Sequence, residues 1–205
     1  WDVHNRELKT SKDNKVAISQ YQESSAQFMP DGQGISLLSD RSGQQQVWLQ
    51  QDGQLSQLTR MPQGVSQYLW VLQGSALAFV SQQQLWLKTK GLKPQKLDTS
   101  LQPQTLLQSL GDKLLLIAQD GEQTALYLYN LNNNQAKVVL PREVNWAQQI
   151  TDSLLITNDN RGRLQKYLDG EQVAITALPD LIIQWRYLWR SNKTGKARLY
   201  FQDKQ

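Results

Sequence analysis

The feature that most constrains this chain is a unit of about 40 residues that recurs along it. The clearest copy, residues 28–59, holds short apolar runs separated by turn signals at residues 40–43 (Asp-Arg-Ser-Gly) and 52–53 (Asp-Gly). Apolar runs between such turns are typical of a meander of antiparallel strands. Self-similarity at this period predicts a propeller or a solenoid. Because no long segment carries an apolar stripe of period 3.6, we expect almost no helix.

Two markers allow the repeat to be followed. The first is an apolar-aromatic-apolar triplet, at residues 47–49, 85–87, 126–128 and 199–201, with a degenerate copy at 164–166. The second is a polar turn shortly before it, at residues 40–43, 120–122, 159–162 and 192–195, reduced to Ser-Gln-Gln at 81–83 in the second copy. Between these markers lie short apolar runs that suit strands buried between neighbouring sheets.

These patterns predict an all-β fold: a β-propeller of about five four-stranded antiparallel blades, whose radial packing buries both faces of each sheet. The aromatic residue of each triplet is expected to fill the gap between blades, which makes Trp48, Trp86 and Tyr127 core residues. We expect one domain, residues 1–205, with repeats at approximately 20–60, 61–100, 101–141, 142–178 and 179–205.

The two ends allow two interpretations. Residues 15–19 (Lys-Val-Ala-Ile-Ser) resemble the outer strands, so residues 1–19 could complete the last repeat and close the ring. The alternative is a partial propeller, an incomplete set of blades from a larger one. Since the first residue is Trp1, we interpret the chain as a piece of a longer or processed protein, and we prefer closure.

The residue inventory argues against catalysis. The chain has no cysteine and one histidine, His4, and it lacks the Gly-x-Ser-x-Gly sequence of a nucleophile elbow. Zinc sites built from Cys and His are excluded by count. The Asn-rich residues 130–134 and 158–162 do not match a calcium-loop spacing and are interpreted as turns. We therefore predict no catalytic residue, no cofactor, no metal site and a non-enzymatic protein.

Two local features could bind a partner. The basic cluster Lys88, Lys90, Lys93 and Lys96 is interpreted as a solvated sheet edge, with an anionic partner as the alternative. A net charge of +4 is too small and mixed for nucleic-acid binding. Residues 185–190 alternate aromatic side chains on one strand face with Arg and Leu on the other. That strand either packs on a neighbouring blade or forms a recognition surface.

Residues 28–43 (Phe-Met-Pro-Asp-Gly-Gln-Gly-Ile-Ser-Leu-Leu-Ser-Asp-Arg-Ser-Gly), followed by Val-Trp-Leu, Asp-Gly and Gln-Leu-Thr, resemble the WD-like repeat of TolB-type β-propellers. That repeat typically begins Ser-Pro-Asp-Gly, and here Met29 stands in place of the serine. The strong match covers residues 28–59, and a weaker periodic match extends over nearly the whole chain. The resemblance implies the propeller fold more specifically than any function, because propellers host many functions.

The resemblance leaves three functional classes: a TolB-like periplasmic interaction scaffold, the propeller of a prolyl-oligopeptidase-like peptidase, and the sensor of a membrane-anchored regulator similar to CadC and ToxR. The glutamine-rich, cysteine-free, divergent repeats favour the last. It implies a periplasmic domain that binds an unknown periplasmic protein or small-molecule ligand. DNA would be bound only by a separate winged-helix domain of the parent chain. No apolar run reaches ~18 residues, so the membrane would be crossed only by a helix of that parent chain. The sequence leaves the binding residues unknown.

Overall fold

The protein is described by a computed structural model that covers residues 3–7, 12–17, 20–159, 161–175, 188–190 and 197–199. Within these residues the chain is all β, apart from one short 3-10 turn at Leu72–Gly74. No helix in this part of the chain has the length and apolar character needed to span a membrane. The predicted fold class is confirmed: four-stranded antiparallel sheets follow one another in chain order, consistent with a partial propeller.

Four sheets, I to IV, are meanders in which each strand pairs with the next in sequence. Sheet I contains β3 (Glu23–Phe28), β4 (Gly34–Ser39), β5 (Gln46–Gln51) and β6 (Gln54–Gln57). Sheet II contains β7 (Gln67–Val71), β8 (Ala76–Ser81), β9 (Gln84–Thr89) and β10 (Gln95–Lys96). Sheet III contains β11 (Gln102–Leu110), β12 (Lys113–Asp120), β13 (Gln123–Asn130) and β14 (Gln135–Leu140). Sheet IV contains β15 (Trp146–Gln149), β16 (Leu154–Asn158), β17 (Leu164–Leu168) and β18 (Glu171–Val173).

Two further strand pairs lie near the ends. β1 (Val3–Glu7) pairs with β2 (Lys12–Ala17), and β19 (Leu188–Arg190) pairs with β20 (Ala197–Leu199). Within residues 1–19, which were expected to complete the last blade, Lys15 lies in β2 and pairs with His4 of β1. The described strands are consistent with a partial propeller, and closure of the ring by both ends stays a prediction. His4 lies in a paired strand.

The chain divides into two compact units, Trp1–Arg142 and Glu143–Gln205, and each is described by itself. The first unit contains sheets I to III and the second contains sheet IV. The expectation of one domain over residues 1–205 remains a prediction.

The sequence markers have clear structural counterparts. The triplets at 47–49, 85–87, 126–128 and 164–166 lie in β5, β9, β13 and β17, the third strand of each sheet. The polar turns connect the second strand to the third. At residues 52–53 both φ angles are positive, +52° and +73°, as the two-residue hairpin turn requires, and Asp-Gly adopts this conformation readily. Gln82 and Gln83 adopt the same left-handed backbone, φ +53° and +57°, without a glycine.

The repeat's Ser-Asp-Arg sequence has a structural role in sheet I. The Arg41 guanidinium forms an ion pair with the fully buried side chain of Glu23 and donates to the Ser39 hydroxyl at 3.0 Å. It also lies over the Trp48 and Tyr21 rings, 5.1 and 5.7 Å from their centroids. A buried carboxylate needs such a paired cation, so this turn contributes to the core as well as to chain reversal.

Two apolar clusters hold the first unit together. One lies between sheets I and II and includes Leu38, Leu77 and Phe79, with the Trp86 ring stacked on Phe79 at 6.4 Å. The other lies between sheets II and III and includes Tyr127, which is 5% exposed. Trp86 and Tyr127 therefore pack between neighbouring sheets as expected. Face-to-face packing of this kind buries both faces of sheet II, which a lone sheet cannot do.

Candidate functional site

A cavity of about 140 Å³ opens between sheets I and II, within the first compact unit. Its residues come from the β3–β4 turn, β5 and the segment after β6 in sheet I, and from β7, the 3-10 turn that follows it, β8 and the end of β9 in sheet II. The lining residues are Met29, Leu49, Gln51, Leu58, Trp70, Gly74, Ser75, Leu77, Lys88 and Lys90. The lining thus combines an apolar wall with two lysines. We call this the sheet I–II cavity.

A buried hydrogen-bond network positions the largest side chain of the wall. Trp70 donates its indole N–H to the Ser36 hydroxyl at 2.8 Å, and Ser36, which is fully buried, donates to the Gln27 carbonyl oxygen at 3.2 Å. The Tyr68 hydroxyl donates to the Ser25 carbonyl oxygen at 2.7 Å and lies 3.0 Å from the Ser36 oxygen. Since Ser36 belongs to sheet I and Trp70 to sheet II, the network fixes the two sheets against each other beside the cavity.

Tyr68 stays neutral in this network. Burial raises the pKa of its hydroxyl above the ordinary value of 10, and the hydrogen bond with Ser36 offsets only part of that effect. The phenol therefore remains a hydrogen-bond donor at every physiological pH, and it adds no negative charge near the two lysines of the cavity.

Gly74 lets the 3-10 turn approach sheet I closely. Its φ of +91° is in the left-handed region, and a Cβ atom there would lie 3.1 Å from the Pro30 Cδ atom. A side chain at this position would be strained by both the backbone and the contact. The missing side chain of Gly74 thus lets the turn close one side of the sheet I–II cavity.

The structure divides the predicted basic cluster into two pairs. Lys88 and Lys90 line the cavity, and the Lys88 ammonium donates to the Leu92 carbonyl oxygen at 2.9 Å. Lys93 and Lys96 are exposed and do not line it. Lys96 lies in β10, the outermost strand of sheet II, where a solvated-edge role fits. Because no carboxylate lines the cavity, its rim is positively charged.

The alternation of side chains between the two faces of β9 is the sequence signal from which part of this site could have been predicted. Lys88 lies two residues after Trp86, so both side chains are on the same face of the strand. Trp86 packs in the cluster between sheets I and II, and Lys88 therefore faces the same gap. The apolar wall could not have been found in this way, because its residues extend from Met29 to Leu77 in the sequence.

A second cavity, of about 280 Å³, lies between sheets II and III in the same compact unit. Its lining residues are Ser66, Gln67, Val80, Gln83, Gln102, Pro103, Gln104 and Gln119. Gln67 uses its side-chain amide to bridge the two sheets, donating to the Gln104 carbonyl oxygen at 2.6 Å and accepting from the Leu106 N–H at 2.8 Å. With no charged residue in its lining, this cavity suits neutral polar groups.

The Asn-rich segment 130–134 is a turn between β13 and β14. The Asn130 side-chain oxygen accepts the backbone N–H of Asn132 at 2.8 Å, and the Asn134 side-chain oxygen accepts the Tyr129 hydroxyl at 2.8 Å. These oxygens are thus used within the turn. Across the described residues, no group of three or more His, Cys, Asp or Glu side chains could hold a metal ion.

Asp159 organises the turn between β16 and β17 in the second unit. Its carboxylate accepts the backbone N–H groups of Arg163 and Arg161 at 2.9 and 3.0 Å, and it pairs with the Arg163 guanidinium at 2.9 Å. The pKa of Asp159 is lowered from 3.8, first by the backbone hydrogen bond from Arg163 and then by its side chain, although burial opposes the shift. The carboxylate acts as an acceptor that shapes the turn.

Two other features were singled out in the sequence. His4 lies in β1, within the N-terminal strand pair. Trp185 and Tyr187 of the aromatic segment lie outside the described residues, and Trp189 belongs to β19. The choice between a packed strand and a recognition surface at 185–190 therefore remains open.

Comparison with solved structures identifies the propeller type. No protein-family model and no curated protein matches the chain. TolB from Acinetobacter baumannii is similar, with 16% sequence identity and a TM-score of 0.61 over 83% of this chain and 49% of TolB. An oligogalacturonate lyase in complex with manganese shares 13% identity with a TM-score of 0.62, over 83% of this chain and 57% of the lyase.

A third similar structure is a prolyl endopeptidase, with 12% identity and a TM-score of 0.63 over 86% of this chain and 31% of the endopeptidase. The chain thus spans about half the length of the TolB and lyase chains and about a third of the endopeptidase. At these identities the likeness concerns the fold, which is the TolB-like, WD-like β-propeller type.

The comparisons correct the prediction of a non-enzymatic protein. Two of these three proteins, the lyase and the endopeptidase, are enzymes, so propellers of this type occur in enzymatic proteins as well as in TolB. The argument from a single histidine and missing cysteines was wrong because it treated a residue inventory as a property of the fold class. The similarity does not show that this chain has lyase or endopeptidase activity.

Proposed function

We propose that this propeller is a periplasmic binding domain that acts as the sensor of a CadC-like membrane-anchored transcriptional regulator. The observation that carries the proposal is the sheet I–II cavity, which combines an apolar wall with the cationic rim of Lys88 and Lys90. A rim without carboxylates and a wall of Leu, Met and Trp side chains suit an occupant that has both apolar and anionic groups.

The position of the cavity supports a signalling role. It lies between two sheets that are joined beside it by the network of Ser36, Tyr68 and Trp70. An occupant that contacts both sheets stabilises the arrangement in which they are packed together, because it binds that arrangement more tightly than a separated one. In this proposal the parent chain passes the bound state through a membrane helix to a separate winged-helix domain, which alone contacts DNA.

The alternative is a TolB-like protein-interaction scaffold, which the similarity to TolB favours. The propeller of a prolyl-oligopeptidase-like peptidase is supported by the similarity to the endopeptidase. Each alternative predicts a different parent gene: a cleavable signal peptide directly before the propeller for a scaffold, and a hydrolase domain for a peptidase.

Sequencing the parent open reading frame is the first test. A winged-helix domain and one apolar span of ~20 residues upstream of Trp1 are the expected result. A signal peptide alone, or an attached hydrolase domain, would replace the sensor with one of the alternatives.

A second test addresses the site in the full-length regulator. The variant Lys88→Gln/Lys90→Gln is expected to change transcription of the genes that the regulator controls, as measured by RNA sequencing. The matched variant Lys93→Gln/Lys96→Gln removes the same charge outside the cavity and should leave transcription unchanged. Equal effects of the two variants would show that the cavity is not the sensory site.

A further inference from the structure

We infer that the occupant of the sheet I–II cavity is an acidic segment of a partner protein, which inserts one apolar side chain and places a carboxylate beside Lys88 and Lys90. This inference rests on the proposed function, because it names the partner of the same site. It is carried by the size of the cavity, the charge at its rim and the exposed apolar surface beside it.

The size excludes a bulky ligand. Sites for small molecules and cofactors commonly have ~300–1,000 Å³, whereas this cavity has about 140 Å³. A cavity of ~150 Å³ takes a molecule the size of benzene. The space therefore suits one leucine- or phenylalanine-sized side chain, and any larger occupant must extend over the surrounding surface.

The wall matches such an anchor. Leu49, Leu58 and Leu77 supply aliphatic surface, and Trp70 is held by its hydrogen bond to Ser36. Met29 adds an unbranched thioether that can adjust to the shape of the inserted group. Because Trp70 is fixed and Met29 can change its conformation, the wall can accommodate apolar side chains of different shapes.

The rim selects the neighbouring residues of the partner. The hydrogen bond from Lys88 to the Leu92 carbonyl oxygen holds its ammonium in place and leaves further N–H groups for a ligand. Lys90 adds a second positive charge, and no lining residue carries a carboxylate. A carboxylate flanking the apolar anchor meets this charge, whereas a lysine or arginine there would be repelled.

The surface next to the rim favours a protein segment over a free carboxylate. Leu92, whose carbonyl oxygen accepts from Lys88, is a 58% exposed apolar residue next to the rim. An apolar anchor in a pocket, surrounded by polar and charged contacts, is the usual arrangement of a protein–protein hot spot. A small carboxylate would use the cavity and the rim but would leave Leu92 uncovered.

Binding of short acetylated and amidated peptides to the purified chain tests this inference. The probe is Gly-Glu-Leu-Glu-Gly, and its two controls carry Gln for both Glu residues or Ala for Leu. Titration calorimetry is expected to show binding weakened about threefold to tenfold by the Gln change, and about tenfold to fiftyfold by the Ala change. Higher salt should weaken the acidic peptide more than the Gln peptide.

Variants of the protein locate the binding. Lys88→Gln and Lys90→Gln should each abolish most of the preference for Glu over Gln, while Lys93→Gln and Lys96→Gln should retain it. Ser75→Trp, a change at an exposed rim position, should block binding by filling the opening and leave the charges intact. Loss of the preference in all four lysine variants would overturn the assignment to this cavity.

Hexanoate, titrated under the same conditions, separates failure of this inference from failure of the proposed function. Binding of hexanoate with no preference among the peptides overturns the acidic segment and retains a ligand-binding cavity. Binding of neither hexanoate nor any peptide overturns both. Tight binding of the acidic peptide together with weak binding of hexanoate is the result that we expect.

Discussion

Replacing Ser36 with alanine tests whether the buried network holds sheets I and II together. The Ser36 hydroxyl is the acceptor for the Trp70 indole N–H at 2.8 Å. In Ser36→Ala that N–H loses its acceptor, whereas the Tyr68 hydroxyl keeps the Ser25 carbonyl at 2.7 Å. The Gln27 carbonyl oxygen also loses its hydrogen bond from Ser36 at 3.2 Å. The cost is therefore mainly that of one part-buried donor without an acceptor, about 1–3 kcal/mol of unfolding free energy.

Urea denaturation followed by tryptophan fluorescence and by circular dichroism measures this loss. The midpoint should fall while the dependence on urea stays constant, since the surface exposed on unfolding is unchanged. Ser56→Ala is the matched control: Ser56 is exposed on β6, and its hydroxyl has only a 3.4 Å hydrogen bond to the Leu49 carbonyl oxygen. Its expected effect is within about 0.5 kcal/mol.

A double-mutant cycle identifies the cause of the loss. Trp70→Phe removes the indole N–H, so in the Ser36→Ala background it should cost about 1 kcal/mol less than in the original protein. The reasoning is refuted if Ser36→Ala costs no more than Ser56→Ala, or if the two changes in the cycle are additive.

Three further predictions concern other parts of the chain. Gly74→Ala should lower the free energy of unfolding by about 1–3 kcal/mol, which is more than the loss in Gly53→Ala. Both glycines have positive φ, but of the two only Gly74 has a neighbour, Pro30, within 4 Å of the added Cβ. Equal losses in urea denaturation would contradict this. Burial raises the pKa of Tyr129 to about 12, with a smaller contribution from the Asp98 charge, and it also raises that of Tyr68. Stability from these neutral phenols is complete below the unfolded value of 10 and is lost as the pH rises above it. The NMR ring signals of Tyr68 and Tyr129 should therefore change to those of tyrosinate together with loss of the circular dichroism signal, not before it. The pKa of Asp159 is lowered, so its contribution to stability is present above pH 3.8 and is lost as the pH falls below that value. In the variant Arg163→Gln, NMR titration should show the pKa of Asp159 moving up towards 3.8.

The repeat could be predicted from sequence because its determinants are local. Asp52-Gly53 fixes a two-residue hairpin turn, and the triplets that follow the polar turns become the third strands of the sheets. These features depend on a few consecutive residues, so spacing alone was sufficient. The pairing of β2 with β1 was missed because a short strand ending in Ala17 carries no local sign of its partner.

The cavity could be predicted only in part, because it is assembled from residues that are distant in sequence. The lysine cluster was evident, and alternation from Trp86 would have placed Lys88 on the face that packs towards sheet I. The sequence contains no comparable sign that Met29 and Ser75 meet at the same opening. The prediction of a non-enzymatic protein, which was based on the numbers of His and Cys residues, failed for a different reason. Enzymatic activity depends on which side chains a fold brings together, and residue counts contain no information about that.

Two departures of this chain from its own repeat lie at the described cavities, whereas a third, the degenerate triplet at 164–166, lines neither of them. Met29 stands in place of the serine that the TolB-type repeat usually has, and it lines the sheet I–II cavity. The turn that is reduced to Ser-Gln-Gln contributes Gln83 to the second cavity and retains two left-handed residues without a glycine. Departures from local rules are expected where a binding site overrides them, so Met29 is consistent with the sheet I–II cavity as the functional site.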